Sequence, residues 1–330
     1  MEIILSHTSA LQWWRPKAPH LRRPGYPVRL RSMTAERDFV THSVGQGEVA
    51  AYDFGALGVG DGPLETMVFS SNYQRHLENV RQHVWSAPLP ARPFIGIAPG
   101  VSVASPELCF IQMASRLPVP RLVELGYELC GGYARYHADE SSYFERRPIT
   151  STARLADAIG RSSAAHGIKR ARLALPYVAD GAASPFEAIV AMLLSLPCDL
   201  GGRGLDLPSM NYRIPLRDEA RATVRKPYLS CDLFWPDRGV DVEYDSRTNH
   251  SDPAKLAADA DRRAALDIMG IDVVTITTRQ LFDPAVFLIQ ANLVARKLGR
   301  GGAGRASPDG RFRPLHAQLL GPWLRSDEGV

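Results

Sequence analysis

The residues with the strongest chemical potential in this chain lie between Tyr228 and His250, in the run YLSCDLFWPDRGVDVEYDSRTNH. Leu229 to Trp235 and Val240 to Ser246 are rich in aliphatic and aromatic residues, and Pro236-Asp237-Arg238-Gly239 between them is turn chemistry, so the segment reads as a β-hairpin. Pairing Trp235 with Val240 across that turn sets a register that places Asp232 opposite Glu243. Side chains two apart share a face, which puts Asp241, Glu243 and Asp245 on the side of Asp232. Like charges facing one another destabilise a hairpin. Such a face is therefore either fully solvated or holds a cation, and hard divalent ions such as Mg²⁺ are bound by carboxylate oxygens.

Two further groups belong to this reading. Glu187 opens a helix as Ser184-Pro185-Phe186-Glu187, which is equally a capping-box pattern in which the carboxylate reaches back to the helix start and needs no metal. His250, in the loop after the hairpin, has the tunable near-neutral pKa of a proton acceptor, although an exposed loop histidine is the plainer reading. Arg213, Arg217, Arg221, Arg225 and Lys226 flank the hairpin and suit phosphate contacts, which position a nucleic acid without reading its sequence. A solvated loop accounts for them equally well. On the next helix, Asp259, Arg263 and Asp267 have the spacing of a surface ion-pair ladder. His7, Trp13 and Trp14 are most simply fold residues.

The elements that must carry these residues fall into three regions. Residues 1–180 mix short strands and helices: an apolar opening at Glu2 to Leu5, a helix from Thr8 to Trp14, strand-like runs at Tyr26 to Leu30 and Pro93 to Ile97, and helices from Ser105, over Leu122 to Cys130 and over Ser151 to Ile159. Ser105 and Pro106 have the N-cap and first-turn types of a helix start. Ala171 to Leu175 is open between helix and strand. Residues 181–299 follow the order helix (Pro185 to Leu196), strand (Met210 to Leu216), polar loop (Arg217 to Lys226), acidic hairpin, helix (Ala254 to Met269), strand (Asp272 to Thr278) and helix (Pro284 to Leu298). Residues 300–330 are rich in Gly and Arg and read as a flexible tail, or as a strap docked by Leu319, Leu320 and Trp323.

Composition sets the outer limits. The chain has 330 residues, 45% hydrophobic and 22% charged, with a formal net charge of +4; that is a globular balance, long enough for about two domains. The slight positive excess permits a polyanionic partner without demanding one. No apolar run approaches the ~20 residues of a membrane span, and the amino terminus has an acid at position 2 and no basic region before its short apolar run, unlike a signal peptide. Cytoplasmic location is expected. Cys109, Cys130, Cys198 and Cys231 lack the paired spacing of a zinc or redox motif and are expected to be reduced thiols.

The order and acidic positions of the second region resemble the PD-(D/E)XK nuclease superfamily, in particular its branch related to very-short-patch-repair (Vsr-like) endonucleases. The resemblance rests on Ser184 to Glu187, Cys231 to Pro236, Val242 to Asp245, His250, Asp261 to Leu266 and Val273 to Ile276, and covers about a third of the chain. It implies an α/β fold of restriction-endonuclease type, a mixed sheet flanked by helices, preceded by a smaller α/β domain. It also implies a Mg²⁺- or Mn²⁺-dependent endonuclease, a phosphodiester hydrolase acting on DNA in defence or repair. Glu187, Asp232, Glu243, Asp245 and His250 would be catalytic, with Asp232, Glu243 and the Tyr244 carbonyl as metal ligands. Arg213, Arg217, Arg225, Lys226, Lys255 and Arg262 would bind nucleic acid.

This chain departs from the superfamily pattern at Asp245, which stands where a lysine is usual, so His250 or the positive charge of Lys255, Arg262 or Arg263 would have to substitute. The first region resembles, more loosely, AbiEi-type antitoxin relatives, on Leu5 to Leu11 and Val103 to Glu107, without the winged helix those relatives commonly begin with. An inactive nuclease-like module that binds nucleic acid or a toxin partner, and a protein-interaction scaffold, are the alternative expectations.

Overall fold

The computed structural model describes residues 2–15, 32–33, 43–60, 62–136, 141–246, 253–300 and 310–324. The chain forms two compact units, Met1–Val178 and Ala179–Val330. Both are α/β, as expected, but the amino-terminal unit is the longer of the two, against the expectation of a smaller leading domain. Among the described residues no helix is long and apolar enough to cross a membrane.

The first unit begins with β1 (Ile3–Leu5), α1 (His7–Trp14), β2 (Ser32–Met33), α2 (Gln46–Ala50), β3 (Leu64–Val68), β4 (Val80–Val84), β5 (Phe94–Ala98) and β6 (Val101–Ala104). These strands make one sheet in the order β2-β5-β6-β1-β3-β4, in which β1 runs parallel to β6 and antiparallel to β3, and β3 runs parallel to β4. There follow α3 (Pro106–Met113), α4 (Val119–Cys130), the hairpin β7 (Tyr133–Arg135) and β8 (Tyr143–Glu145), α5 (Thr152–Arg161) and α6 (Ile168–Ala174). Every residue of α3 is buried, and Ser105 caps it through Leu108 N, with Pro106 in the first turn. Ala171 to Leu175, open between two states in the sequence, is helical. Buried charges here are paired: Glu128 with Arg15, and Glu124 with Arg135. The strand-like run Tyr26 to Leu30 lies outside the described residues.

The second unit consists of α7 (Pro185–Ser195), β9 (Ser209–Pro215), α8 (Asp218–Val224), β10 (Tyr228–Trp235), β11 (Val240–Asp245), α9 (Pro253–Ile268), β12 (Asp272–Thr277), α10 (Thr278–Phe282), α11 (Pro284–Lys297) and α12 (Phe312–Leu324). The sheet order is β12-β11-β10-β9, antiparallel except for β11 and β12, which run parallel because α9 carries the chain back across the sheet. Gly239, at φ +60, turns the β10–β11 hairpin in a conformation that side chains with a Cβ resist. One face of the sheet is covered by α8 and α9 over a core that includes Ile214, Leu229, Cys231, Phe234, Ala265 and Leu266. Tyr244 stacks at 5.3 Å on Phe186 of α7, which in turn meets Trp323 of α12.

Two sequence expectations change. The polar loop expected from Arg217 to Lys226 contains a helix, α8, whose Ala220 is fully buried; with only Ala220, Ala222 and Val224 apolar in that short run there is little periodicity to detect. The expected tail contains α12, with Leu319 and Leu320 fully buried and His316 Nε2 placed 2.8 Å from the Leu281 carbonyl. The strap alternative is therefore correct for Phe312–Leu324.

A carboxylate groove on the second sheet

β10 and β11 pair as Trp235↔Val240, Phe234↔Asp241 and Leu233↔Val242, the register expected from the turn. The regular ladder ends there. The Tyr244 amide donates to Asp232 Oδ2 at 3.1 Å, so a side chain takes the place of a strand carbonyl and the two strands part at the acidic pair. β9 is also irregular at this level: Asn211 has φ +46, and its side-chain amide donates to the Gly181 carbonyl and to Glu187. Cys231 and Phe234 both enter the core under α8 and α9, a spacing that even period-two alternation does not produce, so the alternation breaks around Asp232.

Beside this split lies a groove of about 1040 Å³ lined by Asp232, Glu243, Tyr244, Asp245, Arg262 and Arg263, among others. Glu243 is gripped by Arg262, whose Nε donates to Oε1 at 2.9 Å and whose Nη2 also reaches Oε1 and, at 2.6 Å, the Ser230 carbonyl. Burial lifts the Asp232 carboxyl to about 7; the Glu187 and Glu243 carboxylates push the same way, while the Tyr244 amide and Arg262 pull against them.

Asp241 lies behind the groove with none of its surface exposed, and neither carboxylate oxygen has a hydrogen bond of ordinary geometry. The Cys231 thiol is close enough to ease its ionisation slightly, but burial and the charge of Glu243 raise its pKa well above the usual carboxylate range. A buried carboxylate without donors is either protonated or neutralised by a cation. Its position was legible in the alternation of Asp241 with Glu243, but the sequence did not mark it as buried.

Glu187 performs the capping role. Its Oε2 accepts from the Ala183 amide at 2.9 Å and from Asn211 Nδ2 at 2.6 Å, and its Oε1 accepts from Ser184 Oγ at 2.9 Å. Ser184 Oγ in return accepts from the Glu187 amide at 3.2 Å. Burial raises the Glu187 carboxyl, and it is the strongest charged influence on Asp232. It thus stands near the acidic pair with its oxygens already engaged.

The structure brings Asp232, Glu243, Tyr244, Asp245 and Arg262 to one groove. It does not bring Arg213, Arg217, Arg225 or Lys226 there. Arg213 lies over the Tyr228 ring at 4.8 Å, Arg217 precedes α8, and Arg225 ends α8 at φ +52. His250 and the side chain of Lys255 lie outside the described residues. For a hard divalent ion the donor set fits in kind: Asp232 and Glu243 offer carboxylate oxygens to the groove, and Tyr244 lines it between Glu243 and Asp245.

A different cluster emerged that sequence reasoning did not find. In the first unit, one ligand atom each from His7, Glu65 and His83 lie within 4.8 Å of one another, the only such trio of His, Cys, Asp or Glu among the described residues. These residues come from α1, β3 and β4, and no local motif joins them. No protein-family model matches this chain, and searches of curated proteins and of solved structures give no match either.

Proposed function

We propose that the second unit is a Mg²⁺-dependent phosphodiesterase of the PD-(D/E)XK type, acting on DNA. The observation that carries this reading is the convergence of the Asp232, Glu243 and Asp245 carboxylates on one groove, where their oxygens are the ligand type a hard divalent cation takes. Support comes also from the described residues that resemble the Vsr-like pattern: Ser184 to Glu187 open α7, Cys231 to Trp235 lie on β10, Val242 to Asp245 on β11, Asp261 to Leu266 on α9 and Val273 to Ile276 on β12.

Asp232, Glu243 and the Tyr244 carbonyl would hold the ion. When bound it would make water more acidic and offset charge at the phosphorus. Asp232 Oδ2 is held by the Tyr244 amide, which fixes the carboxylate in the groove and leaves its other oxygen for the ion. Arg263 supplies positive charge in the groove for the phosphate, with Arg262 beside it held by Glu243. This assigns the missing lysine's electrostatic role to arginines of α9, with Asp245 left as a polar wall.

The test is plasmid nicking with Mg²⁺ or Mn²⁺ by the parent, Asp232→Asn and Glu243→Gln, each checked for a native melting transition. Loss of more than about 100-fold in both variants is expected, beyond what removal of an outer-sphere partner produces. Equal nicking by all three would reject the site. A second reading is favoured by one contact: Arg262 already neutralises Glu243. Under that reading the unit binds nucleic acid without cutting it, and all three proteins would show salt-sensitive DNA binding and no cleavage.

A further inference from the structure

We propose that His7, Glu65 and His83 form a binding site for a divalent transition-metal ion, with Zn²⁺ the favoured occupant. The site lies at the edge of the first unit's sheet, where β1 passes through Ser6 into α1 beside β3 and β4. Two imidazoles and a carboxylate are a recurrent zinc donor set, and three protein ligands leave a fourth position open to solvent or substrate.

The supporting contacts suit such a role. Ser6 Oγ lies 3.1 Å from His7 Nδ1, which leaves Nε2 as the nitrogen free to coordinate. Metal-binding histidines are commonly oriented by such a partner on the other ring nitrogen. The His7 backbone is also fixed: its amide donates to Gln112 Oε1 at 3.0 Å, its carbonyl accepts from the Cys109 thiol at 3.6 Å, and its φ is +47. The Thr8 amide donates to Glu65 Oε2 at 2.8 Å, and the rings of His7 and His83 lie 4.0 Å apart.

Arg116 reports what the pocket attracts. Its Nη1 approaches Glu65 at 2.6 Å from Oε1 and 2.8 Å from Oε2, and its Nη2 lies 3.1 Å from His83 Nε2. A guanidinium only donates, so His83 Nε2 accepts there and presents its lone pair to a cation. The imidazole is 3.7 Å from the carboxylate, too far for a hydrogen bond, so the guanidinium has the larger hold.

The Arg116 and His83 side chains are 32% and 27% exposed, so the arginine can swing out as an ion enters from solvent. Arg116 is then a competitor for the ligands. Its removal should tighten metal binding.

Calorimetry with Zn²⁺ and visible spectroscopy with Co²⁺ on the full chain test this. The parent is expected to bind one Zn²⁺ and, with Co²⁺, to give the intense bands of a four-coordinate nitrogen and oxygen site without thiolate charge transfer. His83→Gln and Glu65→Gln should each weaken Zn²⁺ by more than about 100-fold, and Ser6→Ala by about 10-fold. Arg116→Gln should tighten it by about 10-fold or more, since a positive charge close to the ion is removed. The titrations are run in millimolar Mg²⁺, which competes for the carboxylate groove of the second unit and not for a site with two imidazoles, so the two sites are read separately. Zn²⁺ binding that survives both ligand changes, or that is absent in both the parent and Arg116→Gln, overturns the proposal. Because Arg116→Gln is read as a gain, failure of a ligand variant to fold does not remove the test.

Discussion

Arg262 and Glu243 are locked together across the groove of the second unit, with the guanidinium also reaching the Ser230 carbonyl, so α9 is tied to β10 and β11 through one side chain. Arg262→Gln is expected to lower stability by about 1.5–3 kcal/mol, the range for a hydrogen bond to a charged group. Chemical denaturation measures it. Mg²⁺ at millimolar concentration should recover part of the loss, because Glu243 left without its arginine becomes a better metal ligand; no recovery would count against the metal reading.

Asp232 supplies a pH dependence whose sign follows from its raised pKa. Its folded-state value of about 7 stands above the ~3.9 of an unfolded aspartate. The folded form therefore holds its proton more tightly, and the associated stability is complete below pH ~4 and lost as pH rises through ~7. Asp232→Asn should melt close to the parent at pH 4 and several degrees above it at pH 8 without metal. A parent that melts the same at both pH values, with no advantage for the variant, would show that Asp232 is ordinary.

Asp241 should respond in the same direction. It is fully buried with no conventional donor, so Asp241→Asn removes an ionisation that the fold opposes. Thermal melting at pH 8 without metal is expected to rise. If Asp241 contributes charge to an ion in the groove, the same substitution weakens Mg²⁺ binding, which titration calorimetry reads.

The start of α7 depends on a reciprocal pair. Ser184→Ala is expected to cost about 1 kcal/mol by removing the cap on the Glu187 amide. Glu187→Ala should cost more, because the Ala183 amide and Asn211 Nδ2 both lose their acceptor. If Glu187→Ala leaves stability unchanged but abolishes nicking, the carboxylate serves the reaction and not the helix.

Trp323 joins α12 to the body of the second unit, 4.7 Å from Phe186, whose ring stacks on Tyr244. Trp323→Ala is expected to destabilise by about 3–5 kcal/mol, as for a large core aromatic. Urea denaturation checks it, and a change near zero would return this segment to the status of a tail.

The sequence by itself determined the local features. Ser105-Pro106 and Ser184-Pro185 announced helix starts that are observed, because capping is settled within one turn of chain. The turn ending in Gly239 set the hairpin register, because a short tight connection fixes which residues face each other. The α/β class followed from the alternation of such elements. What composition could not reveal was burial. Asp241, Glu243 and Asp245 look alike in the alternating run, yet Asp241 is sealed while Glu243 is paired with an arginine from a helix that arrives later in the chain. The break in pairing at Asp232 likewise depends on β9 and α7, through Asn211 and Glu187. The meeting of His7, Glu65, His83 and Arg116 was invisible for the same reason: the strand order β6-β1-β3-β4 brings distant segments together, and only that packing makes four separated residues into one site.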